Sequence, residues 1–231
     1  MSRLVFDDER LTDLKQRLLA PAHDLEWLLN RGYPKKSSLV FVGNHYQLNA
    51  WERDILFRSI FPRVEALDAK RKKIRARDLK GRSLGIDGFN VLITLENALS
   101  GELLIRGNDG FIRDTAGVFR RWRRSEKTLQ ALDMILRVLK RYEVKKTIFV
   151  LDAPFSGSRE LAGIINQNLQ KMALSGEAIL QKQVETWLSK FSDIVATSDS
   201  RLIRRVKKAF DLTGHLTHYT LKIRSLKLVS V

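Results

Sequence analysis

Three aspartates each close a short apolar run: Ser83-Leu-Gly-Ile-Asp87-Gly-Phe-Asn90, Thr147-Ile-Phe-Val-Leu-Asp152-Ala-Pro154 and Ile194-Val-Ala-Thr-Ser-Asp199-Ser-Arg201. Carboxylates brought together repel and raise one another's pKa unless a cation neutralises them. Mg²⁺ and Mn²⁺ are hard cations that take oxygen ligands, and a water activated by such an ion can attack a phosphodiester. The chemistry open to these residues is therefore metal-dependent phosphoryl chemistry, with Asp87, Asp152 and Asp199 as metal ligands. Each also has a plain structural use. An aspartate at a strand-to-helix junction caps the helix or stabilises the turn. Ser156 and Ser158, after Asp152, either hold a water, a phosphate oxygen or the surroundings of the metal, or serve as helix caps. Asn90 begins the helix after Asp87.

The elements that must position these acids follow from the pattern around them. Short β-branched runs separated by helical stretches read as buried parallel strands, whose carboxyl ends share one edge where ligands bind. From about residue 82 onward the alternation predicts an α/β three-layer sandwich with a mostly parallel sheet. The segment Val118 to Tyr142 is expected to be one long amphipathic helix, with Leu129, Leu132, Ile135, Leu136 and Leu139 as its core stripe. Glu102 to Ile112 reads as a hairpin turning at Asn108-Asp109-Gly110. Asp109 and Asp114 are expected to shape that hairpin and cap the long helix. Between Gly176 and Phe191 both strand and helix fit, a basic helix is expected from Leu202 to Phe210, and Leu226 to Val231 is a candidate edge strand.

Upstream, leucines at helical spacing and a capping box of Asn49 with Glu52 predict a small all-helical domain over residues 1–65. The charge run from Lys70 to Arg82, with few apolar positions, predicts a basic linker over 66–82, solvated or in contact with nucleic acid, ahead of the α/β domain over 83–231.

Forty-two Lys and Arg against 26 Asp and Glu give a net charge of +16, a field that attracts polyanions. The candidate RNA contacts are Arg120, Arg121, Arg123 and Arg124 around a stackable Trp122, then Arg201, Arg204, Arg205, Lys72 and Lys73. Arg201 is the first choice for a scissile phosphate. The lack of cysteine excludes disulfides, thiolate catalysis and thiolate zinc sites. His215 and His218 lack a third ligand nearby in sequence, and His45 reads more readily as a hydrogen-bonded histidine than as an RNA contact. No apolar run spans a bilayer and the amino terminus lacks the order of a signal peptide, so a cytoplasmic protein is expected.

The wording Ile-Asp87-Gly-Phe-Asn90, Leu-Asp152-Ala-Pro and Asp193-Ile-Val-Ala-Thr-Ser-Asp199-Ser-Arg201 resembles the PIN-like and NYN nuclease superfamily over roughly residues 82–215. The helical segment with Val42-Gly-Asn-His45-Tyr and Glu52-Arg53-Asp-Ile-Leu-Phe-Arg58 is similar to the amino-terminal part of an uncharacterised, mainly archaeal family that joins such a unit to a PIN-like one. The resemblance implies an endoribonuclease in which acidic residues hold Mg²⁺ or Mn²⁺, with Asp87, Asp152 and Asp199 at matching positions. It also implies a fourth acid, for which Glu185 is the first candidate and Asp193 and Glu96 are the others. RNA, whether tRNA, rRNA or the ribosome, is the implied partner. The alternative is a noncatalytic RNA-binding or ribosome-associated protein that keeps the fold without the chemistry.

Overall fold

Strands buried on both faces carry no polar alternation, which is why the apolar runs pair side by side in parallel. The computed structural model of the chain describes residues 8–115 and 125–229. Its elements are α1 (Asp8–Asn30), α2 (Lys35–His45), α3 (Ala50–Ser59), α4 (Arg63–Lys72), β1 (Ser83–Asp87), α5 (Gly88–Leu99), β2 (Leu104–Arg106), β3 (Ile112–Asp114) and α6 (Glu126–Arg141), followed by β4 (Lys146–Asp152), α7 (Ser158–Lys171), β5 (Gly176–Gln181), α8 (Val184–Ser189), β6 (Ile194–Ala196), α9 (Ser200–Arg205), β7 (Lys208–Phe210), α10 (Leu212–His215) and β8 (Leu226–Lys227). They divide into two units, one made of Met1–Arg71, Gly101–Ala116 and Ile223–Val231, the other of Lys72–Ser100 and Gly117–Lys222.

The first unit holds α1 to α4 and a three-stranded sheet in the order β3-β2-β8, antiparallel between β2 and β3 and parallel between β2 and β8. Leu18, Ala22, Leu25 and Leu29 of α1 recur at helical spacing and are buried with Ile55 and Leu56 of α3, Ile105 of β2 and Leu226 of β8. Each large apolar side chain so buried contributes roughly 1.5–3 kcal/mol. The capping box is formed as expected: the Asn49 side chain accepts from the Glu52 amide at 2.9 Å, and Glu52 accepts from the Asn49 amide at 2.8 Å. The described residues up to Lys72 are helical, as expected, and the hairpin and the carboxyl-terminal strand join them to complete the core of the unit. The expected linker over 66–82 is also structured. Residues 63–72 form α4, and a 3₁₀ turn at Ala76–Leu79 buries Ala76 and Leu79. Arg71, Arg75, Arg77, Lys80 and Arg82 of this segment are exposed.

The second unit is an α/β three-layer sandwich around an all-parallel five-stranded sheet in the order β5-β4-β1-β6-β7. The chain starts at the central β1, moves outward through β4 to β5, then returns to the other side of β1 for β6 and β7. That reversal makes a switch point between β1 and β6. Leu84 and Ile86 pack with Leu92 and Leu95 of α5 and Leu132 and Ile135 of α6. The intervening Gly85 faces the other layer, where an added Cβ would stand 3.0 Å from Leu188 of α8 and 3.2 Å from Phe191.

Three local expectations are corrected. The described part of the long helix starts at Glu126 behind the Ser125 cap, and residues 118–124 of the expected span lie outside the described residues. Thr128 and Ala131 complete its buried stripe, whereas Leu129 is 46% exposed. The basic helix expected from Leu202 to Phe210 ends at Arg205, because Lys208-Ala-Phe210 pairs with β6 as the edge strand β7. Asp114 lies buried within β3, and Ser125 rather than an aspartate caps α6.

Candidate active site

Alternation along the strands decides which acids can meet. Asp87 lies two residues beyond Gly85 and so shares its α8-facing side, and Asp87 stands opposite Val150 in the register with β4. Asp152, two beyond Val150, faces the same way. Glu185 occupies the first turn of α8, the helix packed on that face. Asp199 arrives from the neighbouring strand as the N-cap of α9, accepting from the amides of Arg201 at 2.7 Å and Leu202 at 3.4 Å. Four elements thus bring four acids to the carboxyl edge of the sheet, with Asp87 and Asp199 at its switch point.

Gly88 permits the turn that presents Asp87. A Cβ there would lie 2.4 Å from Leu151 and 3.1 Å from the Val150 carbonyl. The Thr197 hydroxyl donates to Asp87 Oδ2 at 2.8 Å and itself accepts from the Asp199 amide at 3.1 Å, so one side chain orders both acids. Asn90 Oδ1 accepts from the Ser198 amide at 2.9 Å and the Ser198 hydroxyl at 3.0 Å, tying the exit of β1 to that of β6. Thr197 went unrecognised in the sequence. Its signal was position alone, a hydroxyl two residues before Asp199 in Thr197-Ser-Asp.

The electrostatics are those of crowded negative charge. Burial pushes the Asp87 carboxyl up to about 7; the Thr197 hydroxyl opposes the rise, and the charges of Asp199, Asp152 and Glu185 add to it. Burial also raises Asp152. Among the described residues no hydrogen bond or ion pair reaches the Asp152 carboxylate, and the partner of Glu185 is Arg201, at 3.8 Å between exposed side chains.

The other expected residues divide clearly. Ser158 is buried and its hydroxyl lies 2.5 Å from the Asp152 carbonyl and 2.7 Å from the Phe155 carbonyl, so it shapes the turn after β4 and is not open to a ligand; Ser156 is exposed on that turn. Asp193 sits at the opposite edge of the sheet, gripped by Arg82 and accepting from the Ser83 amide at 2.9 Å, which removes it as a fourth acid. Glu96 accepts from the Thr128 hydroxyl and is likewise spent. Lys72 donates to the carbonyls of Ile203 at 3.3 Å and Arg204 at 2.7 Å, and Lys73 pairs with Asp211 at 2.7 Å. Both lysines expected to contact RNA are thus engaged within the fold. Arg201, Arg204 and Arg205 are exposed on α9, with Arg205 donating to the Ser189 hydroxyl at 3.0 Å. Arg120, Arg121, Arg123 and Arg124 lie outside the described residues. His215 packs among Tyr142, Phe210 and Tyr219, and burial lowers its pKa.

Among the described residues no three His, Asp or Glu side chains form a ready-made metal cage. The donor set nevertheless suits a hydrated Mg²⁺ or Mn²⁺. Mg²⁺ keeps several waters and is usually held through one or two carboxylates, and mutual repulsion is what such an ion relieves.

Fold and site together define a doubly wound α/β domain with an acidic switch point, joined to a helical unit. The pattern of a domain of unknown function (DUF5616) matches residues 76–215, and that of a protein of unknown function (DUF434) matches residues 17–72. An uncharacterized protein of Methanocaldococcus jannaschii is 36% identical over 201 residues, covering 86% of this chain and 96% of that protein. The chain belongs to the DUF5616 family. No solved structure matches it.

Proposed function

We propose that the protein is a metal-dependent endoribonuclease of the PIN-like kind, acting in the cytoplasm on RNA through Asp87, Asp152, Asp199 and Glu185. The observation that carries this reading is the arrival of these acids from four elements along the carboxyl edge of the sheet, near enough for the other three charges to raise the Asp87 pKa. Asp87 and Asp152 would hold Mg²⁺ or Mn²⁺, with Asp199 and Glu185 beside them. Bound there, a divalent ion supplies Lewis acidity toward water and phosphate. Thr197 fixes the Asp87 carboxylate, and the amides at the start of α9 fix Asp199. Arg201, exposed two residues beyond Asp199, offsets the charge on the scissile phosphate once it is drawn from Glu185.

The test is incubation of structured and single-stranded RNA with the protein and Mg²⁺ or Mn²⁺. The reading expects shortened RNA, and Asp87→Asn or Asp152→Asn should abolish cleavage while RNA affinity stays equal or rises. Cleavage that survives both changes sinks it. The second reading, a noncatalytic RNA binder, is favoured by the lack of a preformed three-acid cage among the described residues. It expects RNA to be shifted and never shortened.

A further inference from the structure

One end of the helical unit gathers aromatic rings and cations at its surface. The carboxyl end of α1 and the amino end of α2 meet through the turn at Gly32, the carboxyl end of α3 joins them where Lys35 Nζ lies 4.8 Å from the Phe57 ring centre and 3.8 Å from that of Phe61, and the start of α4 is tied in by the Arg63 amide donating to Asn30 Oδ1 at 2.7 Å. Trp27 and Tyr33 are 55% and 57% exposed at this end, and Phe57 is 40% exposed. The Arg31 guanidinium lies 4.0 Å from the Trp27 ring centre. Lys36 and Arg63 are exposed beside them, and no acid stands in the first turn of α2.

Isolated exposed rings are ordinary, but three rings interleaved with four cations at one end are not a random surface. Protein interfaces also favour Trp, Tyr and Arg but are depleted of Lys, and a protein burying this end would have to cover Lys35 and Lys36. Single-stranded nucleic acid answers both halves: phosphates meet the cations, and unpaired bases stack on the rings. The net charge of +16 has the same sense. We propose that Trp27, Arg31, Tyr33, Lys35, Lys36 and Arg63 form a binding surface for single-stranded RNA, a site separate from the acidic edge of the other unit and independent of whether that edge cleaves.

The test is fluorescence anisotropy of a labelled single-stranded oligoribonucleotide titrated with the full chain in EDTA, where metal-dependent cleavage is silent. Trp27→Ala and Tyr33→Ala are each expected to weaken binding by roughly tenfold, with Trp27→Phe restoring most of the loss. Arg31→Gln combined with Lys36→Gln should reduce the slope of log affinity against log salt by about 1.4. Circular dichroism melts check that these exposed substitutions leave the fold intact. Unchanged affinity in both ring variants, or an unchanged salt slope in the double variant, overturns the proposal, as does a chain that does not bind the oligonucleotide. Weakened binding in the ring variants, in a protein that leaves every RNA uncut with Mg²⁺ or Mn²⁺, upholds this surface and removes the catalytic reading. Intact binding in them, with cleavage dependent on Asp87, does the reverse.

Discussion

Replacing Asp87 by Asn should stabilise the metal-free protein, by an amount set by pH. Burial and three neighbouring acids raise this carboxyl from 3.8 to about 7, which corresponds to about 4 kcal/mol of disfavour for its charged form. Part of the side chain meets water, which reduces the effect to roughly 2–3 kcal/mol. The folded protein holds the Asp87 proton more tightly than the unfolded chain does. The contribution of Asp87 to stability is therefore greatest below pH 4, falls as pH rises toward 7, and levels off above that. Asparagine cannot ionise, yet its side-chain oxygen can still accept from Thr197, so the variant escapes the decline. In EDTA at pH 8 the Asp87→Asn melting midpoint should exceed the wild type by roughly 5–10 °C, and at pH 5 the gain should shrink to about a third. The assay is a series of thermal or urea melts from pH 5 to 8, each repeated with Mg²⁺. Mg²⁺ should raise the wild-type midpoint more at pH 8 than at pH 5 and should act much less on the variant. A difference between the two proteins that does not vary with pH, or a variant less stable at pH 8, would refute the picture of Asp87 as an acid whose charge the fold disfavours.

Two further substitutions probe the supports. Thr197→Val removes the hydroxyl that lowers the Asp87 pKa and leaves the Asp199 amide without its acceptor at 3.1 Å; it should cost about 1–3 kcal/mol of stability and move the rise of the pH–cleavage profile to higher pH, as kinetics across pH 5.5 to 8.5 would reveal. In the first unit Arg113 and Asp109 form an ion pair between side chains only 7% and 4% exposed, at 2.5 Å. Asp109→Ala should destabilise by about 3–5 kcal/mol, measured by urea denaturation, and a loss under 1 kcal/mol would mean that water reaches Arg113 readily.

The second unit was legible because its strands announce themselves. Three β-branched runs, each closed by an aspartate, were enough to imply a parallel sheet and to put Asp87, Asp152 and Asp199 at one edge. What stayed hidden depends on partners distant in sequence. Lys208-Ala-Phe210 continues a helical-looking basic stretch, and only its pairing with β6 makes it a strand. Residues 101–116 follow β1 and α5 in the chain yet belong to the unit that begins at the amino terminus, a non-local choice that periodicity cannot express. Lys72 and Lys73 read as a free basic pair until Ile203, Arg204 and Asp211 supply their partners. Glu185 was identifiable by resemblance alone, since nothing in Val184-Glu-Thr-Trp-Leu188 says that this helix covers the face bearing Asp87.

A structural role accounts for Asp199 but not for Asp87 or Asp152. Asp199 caps α9 and could be explained by that duty alone. Asp87 could not: no cap hydrogen bond from its side chain serves α5, and the fold bears the penalty of a buried carboxyl whose charge three others oppose. Asparagine would accept from Thr197 equally well without that penalty. Asp152, raised by burial and without a described partner for its carboxylate, repeats the pattern. Perturbed acids held in place by a dedicated hydroxyl are characteristic of functional sites, where repulsion in the empty state becomes affinity for a cation. The acid that the turn does not need is therefore the one whose loss should abolish chemistry while improving the fold.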